Sequence, residues 1–188
     1  MKTETTERDF GSGYTVSEPE ALLRVSVPVG LPPGTEAPAS AVKPDLLPSE
    51  ESSLPLVLLV EDNPGDVRIV REALSKAPIP LRLAIARDGL EGLRLLHGLG
   101  RKPDLILLDL NLPGMDGRSL LQRVKMDPAL LRIPVIVVSG SDATWDVSSA
   151  YGLHANCYVV KPSDYQTFES TLGQLIEFWA RTVRLPAH

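Results

Sequence analysis

Four short apolar runs of this sequence each end in residues that carry a charge or a hydroxyl group. Glu61 and Asp62 follow the first run, Asp109 closes the second, and Ser139 and Lys161 follow the last two. In an open sheet of parallel strands, the carboxyl ends of the strands share one edge, and that edge holds the ligand site. We therefore expect these five side chains to lie close together on loops at one edge of a sheet.

The alternation of apolar runs with amphipathic stretches predicts an α/β fold. Strands are expected near 56–60, 81–86, 104–109, 134–138 and 156–160, and helices near 65–77, 89–99, 117–126, 143–152 and 164–183. The apolar runs predict a parallel sheet that helices cover on both faces. Because strand-helix-strand crossovers are almost always right-handed, the repetition predicts a doubly wound fold. Asp88 is expected to cap one helix, and Ser163 with Gln166 has the spacing of a capping box for the last helix.

Composition divides the chain into a leader over residues 1–53, a domain over 54–184 and a tail over 185–188. The leader holds seven of the 17 prolines and has four basic against nine acidic residues, whereas the remainder carries 15 of each sign. A Pro-rich, acidic and weakly apolar segment cannot bury enough surface to offset its ordering entropy, so we expect the leader to be disordered. A silent leader and a functional one both stay open.

Charge and hydropathy argue against several classes of function. The domain is neutral and has neither a basic stripe nor a helix-turn-helix, which argues against nucleic-acid binding. The apolar runs are far shorter than the ~20 residues that span a bilayer, and the N-terminus lacks the regions of a secretory signal. We expect a soluble cytoplasmic protein, in which Cys157 is a small hydrophobic residue within a strand.

The converging carboxylates predict a divalent metal site, because without a cation they would repel one another. Oxygen ligands of this kind suit Mg²⁺, for which Mn²⁺ can substitute. We expect Asp62 and Asp109 as direct ligands, the backbone carbonyl of Asn111 as a third, and Glu61 as an indirect ligand. A bound ion would also neutralise charge on an incoming phosphoryl group.

Phosphoryl chemistry gives each remaining group a role. Asp109 is the expected nucleophile and would form an acyl phosphate. Lys161 offers a positive charge to the phosphoryl oxygens, and Ser139 offers a hydroxyl. The bond between Lys161 and Pro162 is a candidate for the cis form. Each feature alone is common in loops, but their joint order on four strand ends is specific.

Three stretches of the sequence, 60–68, 109–118 and 153–162, resemble the response-regulator receiver domains of two-component signalling. They resemble in particular a branch of stand-alone regulators, some of which pair with phytochrome histidine kinases. The resemblance implies a flavodoxin-like, five-stranded parallel sheet in the order 2-1-3-4-5. It also implies Mg²⁺-dependent transfer of a phosphoryl group from a kinase histidine to Asp109.

The resemblance assigns roles to individual residues. The acid pair of the family corresponds to Glu61 and Asp62, its switch hydroxyl to Ser139 and its lysine to Lys161. Its switch aromatic residue, three positions before the lysine, corresponds to Tyr158.

These inferences favour a single-domain response regulator over two alternatives. Only about five residues follow the last predicted helix, so we expect output through protein contacts. A sensor histidine kinase, with a bacteriophytochrome as the candidate, is the expected partner. A phosphatase of the haloacid dehalogenase type would need a second acid where this chain has Asn111. A receiver-like binding module that takes no phosphate would not need every site position filled. We therefore expect no enzyme activity beyond slow self-dephosphorylation.

Apolar residues on two predicted helices are candidates for protein contacts. Ile69 is expected to point about 130° away from the buried face of the first helix, where a kinase could dock. Phe178 is expected to be exposed beside Trp179, at the margin of the buried stripe of the last helix. An aromatic patch there would favour a homodimer.

Overall fold

A single sheet of six strands organises the molecule, seen in a computed structural model that describes residues 22–25 and 54–185. The strands are β1 (Leu22–Val25), β2 (Leu56–Val60), β3 (Leu81–Ala86), β4 (Leu105–Leu108), β5 (Val135–Ser139) and β6 (Cys157–Val160). Their order across the sheet is β1-β3-β2-β4-β5-β6. The five strands from β2 onward are parallel, in the predicted order 2-1-3-4-5 of a flavodoxin-like receiver fold, which confirms the predicted fold class.

Within residues 54–185, five helices connect these strands or follow them. They are α1 (Pro64–Ser75), α2 (Gly89–Gly98), α3 (Gly117–Met126), α4 (Thr144–Gly152) and α5 (Tyr165–Glu177), after which one π-helical turn spans Phe178–Thr182. The bounds differ from the predicted ones by one or two residues, with the last predicted helix divided between α5 and the π-helical turn. Among the described residues, no helix is both long enough and apolar enough to cross a membrane.

Two hydrophobic cores, one on each face of the sheet, hold the layers together. Alternate residues of β2 enter opposite cores, Leu58 facing one and Leu59 the other. The first core packs against α2, α3 and α4, and the second against α1 and α5. Burial on both faces explains why these strands are continuous apolar runs.

Capping side chains stabilise the first turns of helices α2 and α5, where the preceding loops end. Asp88 caps α2 as predicted, because its carboxylate accepts a hydrogen bond of 2.7 Å from the Glu91 amide. The prediction for α5 was wrong by one residue. Asp164, and not Ser163, accepts from the Thr167 amide at 2.8 Å. Either side chain could cap the helix, and only the backbone conformation selects between them.

A short strand from the leader lies at the edge of the sheet. β1 pairs antiparallel with β3, with Leu22 opposite Ala84 and Val25 opposite Leu81. The expected disorder therefore does not hold for these four residues, and the rest of the leader lies outside the described residues. Average composition over residues 1–53 hides a segment this short, which gains its hydrogen bonds only by pairing with an existing edge.

Candidate functional site

The Lys161 ammonium group is the centre of the predicted cluster. It lies 2.6 Å from Glu61 Oε2, 2.8 Å from Asp66 Oδ2 and 2.9 Å from Asp109 Oδ2. Glu61 and Asp109 are buried, with 3% and 7% of their surface exposed. The structure thus joins the ends of β2, β4 and β6 through one cation, as the strand-end pattern predicted.

A second group of carboxylates, which shares two members with the first, can hold a metal ion. Glu61, Asp62 and Asp109 each offer an oxygen atom, and these atoms lie within 4.8 Å of one another. Asp62 is exposed, whereas the other two are buried. An all-oxygen set with one solvent-facing member suits a hard divalent cation that keeps some of its water. The donors present therefore fit the predicted ion.

Burial changes the charge states at this site. It raises the pKa of Glu61 to about 7, against the opposing hydrogen bond and charge of Lys161. Burial alone would lower the pKa of Lys161, but hydrogen bonds to Asp66, Glu61 and Asp109 outweigh it, so that pKa is raised above its usual value. The lysine therefore stays positively charged, while Glu61 exchanges a proton near neutral pH.

Two hydrogen bonds with backbone groups hold Asp109 in place directly after β4. The Asp109 amide donates to Val60 O at 3.0 Å, and Asp109 Oδ1 accepts from the Asn111 amide at 3.1 Å. The loop after Asp109 turns at Gly114, whose φ of 68° favours glycine. It returns at Gly117, where a Cβ atom would lie 2.0 Å from the Asp109 carbonyl oxygen. No side chain fits at that point without moving the site.

Ser139 lies beside this cluster and is fully buried. Its carbonyl accepts from the Lys161 amide at 2.8 Å, which joins the end of β5 to the lysine. Its hydroxyl oxygen accepts a long hydrogen bond of 3.4 Å from the Ser141 amide. Ser141 also accepts at its carbonyl from the Tyr158 hydroxyl at 2.8 Å. The predicted switch residues, Ser139 and Tyr158, therefore contact the same intervening residue.

The Ser141 side chain extends this network to the surface. Its hydroxyl donates to Asp146, which also pairs with the Arg118 guanidinium group. Arg118 lies over the Trp145 ring, 5.1 Å from its centroid, and Trp145 is 68% exposed. A continuous set of contacts thus leads from the switch hydroxyl to an exposed indole.

Several functional neighbours were not predicted. Asp66, Ser141 and Arg118 follow the ends of their strands by six, two and ten residues, within loops and first helical turns. The sequence feature that could have identified Asp66 and Arg118 is a charged residue in the first turn of a helix that begins at the site edge.

The Lys161–Pro162 bond is trans, because the described residues contain no cis peptide bond, so the cis expectation was wrong.

The interaction candidates differ from each other in exposure. Ile69 is partly buried and packs against the second core, which corrects the prediction that it points away. The reason is that α5 packs beside α1, so apolar residues outside the central stripe also gain cover. Phe178 is 50% exposed and meets Trp179 edge to face, with 5.9 Å between ring centroids. The predicted exposed aromatic beside Trp179 is confirmed.

Comparison with known proteins identifies the family. The model of the response regulator receiver domain matches residues 57–172. Response regulator Rcp1 of Synechocystis sp. is 43% identical over 145 residues, which are 74% of this chain and 99% of that protein.

Two crystal structures share the fold. The phosphorylated cyanobacterial phytochrome response regulator RcpA has a TM-score of 0.70 and 40% identity over 72% of this chain and all of that one. The Mn²⁺-bound form of Rcp1 has a TM-score of 0.68 and 42% identity over 71% of this chain and 99% of that one. With its acidic cluster and lysine at the carboxyl ends of a 2-1-3-4-5 sheet, the chain belongs to the response regulator receiver domain family.

Proposed function

We propose that this protein is a single-domain response regulator that accepts a phosphoryl group on Asp109. The observation that supports this most strongly is the buried Asp109 carboxylate, bonded to Lys161 at 2.9 Å and grouped with Glu61 and Asp62. One oxygen of Asp109 attacks the phosphorus atom of a phosphohistidine. The phosphorus-nitrogen bond breaks, its electron pair returns to the imidazole of the kinase, and an acyl phosphate remains on Asp109.

The metal in this proposal is Mg²⁺, with Mn²⁺ as a substitute. Asp62, Asp109 and the Asn111 carbonyl would hold it directly, and Glu61 indirectly. When bound, the ion supplies positive charge that offsets the negative charge of the phosphoryl group. The chain itself supplies Lys161, whose raised pKa keeps it positively charged, and a fixed position for Asp109.

The phosphorylated protein would signal through a change of its surface rather than by making a chemical product. Ser139 would move its hydroxyl toward the phosphoryl group, and Tyr158 would follow. Support comes from their shared contact with Ser141, through bonds of 3.4 Å and 2.8 Å. A two-state element of this kind is biased only by differential contacts, and the new hydrogen bond is one. The protein would act in the cytoplasm as a signalling protein and not as an enzyme.

The proposed donor is a sensor histidine kinase, with a bacteriophytochrome as the candidate because of the similarity to Rcp1 and RcpA. Nucleic acid and membranes are not proposed partners. Kinase contact would use the start of α1, where Ile69 retains part of its surface. Ile69→Arg should then slow transfer from the kinase but not from acetyl phosphate. Equal slowing by both donors would indicate damage to the fold instead.

A homodimer through the aromatic surface at the end of α5 is the proposed assembly. Phe178 is half-exposed and its ring meets Trp179 edge to face, so the side chain is prearranged for burial by a second copy. Sedimentation velocity should show a dimer that Phe178→Glu dissociates. A wild type that stays monomeric when phosphorylated would refute the dimer, and a dimeric variant would refute Phe178 as its anchor.

Phosphorylation of the whole chain tests the proposed function. Purified protein is incubated with acetyl phosphate or a phosphorylated histidine kinase, with Mg²⁺ or with a chelator. Phosphate-affinity electrophoresis should show a shifted band only with the metal, and none for Asp109→Asn. A wild-type protein that takes no label from any donor would overturn the proposal.

A further inference from the structure

Among the described residues, Asp66 is the one carboxylate that bonds to Lys161 but lies outside the metal-binding group of Glu61, Asp62 and Asp109. It belongs to the first turn of α1, and its Oδ2 atom is 2.8 Å from Lys161 Nζ. Side-chain exposure is 22% for Asp66 and 11% for Lys161. This pair is therefore not a solvated surface ion pair of the kind that contributes little.

The hydrogen bonds of Lys161 leave no donor free for a new acceptor. An ammonium group has three N–H donors and no acceptor, and the three carboxylates at 2.6, 2.8 and 2.9 Å use one each. A phosphoryl oxygen can bond to this lysine only if one of those bonds is released. Glu61 and Asp109 also belong to the carboxylate group that can hold the metal ion, whereas Asp66 does not, so we take the bond to Asp66 as the one that yields.

Asp66 also adds charge where a phosphoryl group would arrive. Its Oδ2 and Asp109 Oδ2 share the ammonium group and so lie at most about 6 Å apart, a range over which like charges repel in a water-poor site. The site holds four carboxylates against one lysine, and the metal cluster accounts for only three of them. The fourth carboxylate, Asp66, repels an anionic phosphoryl donor.

We propose that Asp66 is a positioning residue that holds Lys161 toward α1 and competes with the phosphoryl group for it. Asp66 thereby slows phosphorylation of Asp109, and release of the ion pair links phosphorylation to the start of α1. This inference rests on the proposed function, because it concerns the same acceptor.

The test compares initial rates of phosphorylation by acetyl phosphate at saturating Mg²⁺, so that altered metal affinity does not enter. Asp66→Asn removes the charge while keeping the shape, and should raise the rate roughly three- to tenfold. Asp66→Glu restores the carboxylate and should return the rate to within about twofold of wild type. Glu72→Gln is the matched control, since it removes a partly exposed acid on the same helix that bonds Arg68 and Tyr165 rather than Lys161, about 9 Å farther along the helix axis.

A spectroscopic signature separates this role from a structural one. Exchange of the Lys161 ammonium protons, followed by ¹H–¹⁵N NMR and assigned with Lys161→Met, should be faster in Asp66→Asn. In the wild type, the same signal should change when Asp109 is phosphorylated, which tests the idea without any variant of Asp66.

The outcomes are distinguishable. A wild type that is phosphorylated while Asp66→Asn is unchanged or slower, with a native melting curve, overturns the role of Asp66 alone. A Lys161 ammonium signal that does not change when Asp109 is phosphorylated overturns the role of Asp66 as well. A wild type that takes no phosphate refutes the proposed function, and this inference with it.

Discussion

Replacing Gly117 with alanine should displace the backbone that supports the phosphorylation site. A Cβ atom there would lie 2.0 Å from the Asp109 carbonyl oxygen, 2.7 Å from Leu110 Cα and 2.9 Å from the Asp109 carbonyl carbon. All three are backbone atoms, so no side-chain rotation relieves the overlap. The loop must move by roughly 1 Å, because a Cβ atom essentially never lies within 3.0 Å of a neighbouring backbone atom.

The cost follows from what that movement disturbs. Overpacking of a tight site costs about 1–3 kcal/mol. The hydrogen bond from the Gly117 amide to Leu110 O, now 3.0 Å long, is strained as well, and a lost bond costs about 1 kcal/mol. We expect Gly117→Ala to lower the free energy of unfolding by about 3 kcal/mol.

Urea unfolding measures this loss as a lower midpoint with an unchanged slope. Gly98→Ala is the matched control, because Gly98 is also helical and a Cβ there meets nothing within 4 Å. It should leave stability unchanged or raise it by up to about 1 kcal/mol. A Gly117→Ala protein within about 1 kcal/mol of wild type would refute the argument.

Three further predictions concern pH, switching and the opposite end of the sheet. Since the pKa of Glu61 is raised to about 7, the metal-free protein should lose the stability contributed by protonated Glu61 as pH rises from about 4.5 through about 7. Mg²⁺ binding at pH 6.5 should then release protons, and calorimetry in buffers of different ionisation enthalpy that detects none would contradict this. In a Trp179→Phe background, phosphorylation should change the fluorescence of Trp145, which stacks on Arg118. Ser139→Ala should accept phosphate yet give a weaker change, and an equal response would refute the coupling. Asp104→Ala removes a buried acceptor that bonds to the Leu56 amide at 2.7 Å and pairs with Arg101. It should destabilise by about 2–4 kcal/mol without altering the phosphorylation rate of the folded protein, and a slower rate would contradict a purely structural role.

The site residues at strand ends could be predicted from sequence because one geometric rule places them. Glu61, Asp109, Ser139 and Lys161 follow apolar runs directly, so naming the strands was enough to bring them to the same edge. The sheet order came from family resemblance and not from the residues themselves. Because the loops between helices and strands are short, the predicted ends of these elements could be wrong by only a few residues.

What sequence analysis missed depends on how helices are rotated against the sheet. Asp66 reaches Lys161 only because α1 starts at the site edge with that face inward, and periodicity does not determine this. Ile69 was expected to be exposed, but the neighbouring α5 gives it partial cover. The pairing of Leu22–Val25 with β3 depends on a free sheet edge, which local composition cannot reveal.

The most direct test of the central claim is to locate the phosphoryl group. The protein is phosphorylated by acetyl phosphate with Mg²⁺, the acyl phosphate is reduced with borohydride, and the peptides are analysed by mass spectrometry. We expect Asp109 alone to be converted to homoserine, and Asp109→Asn to give no converted residue. Conversion at Asp62 or Asp66 in place of Asp109, or label that persists at wild-type level in Asp109→Asn, would contradict the claim.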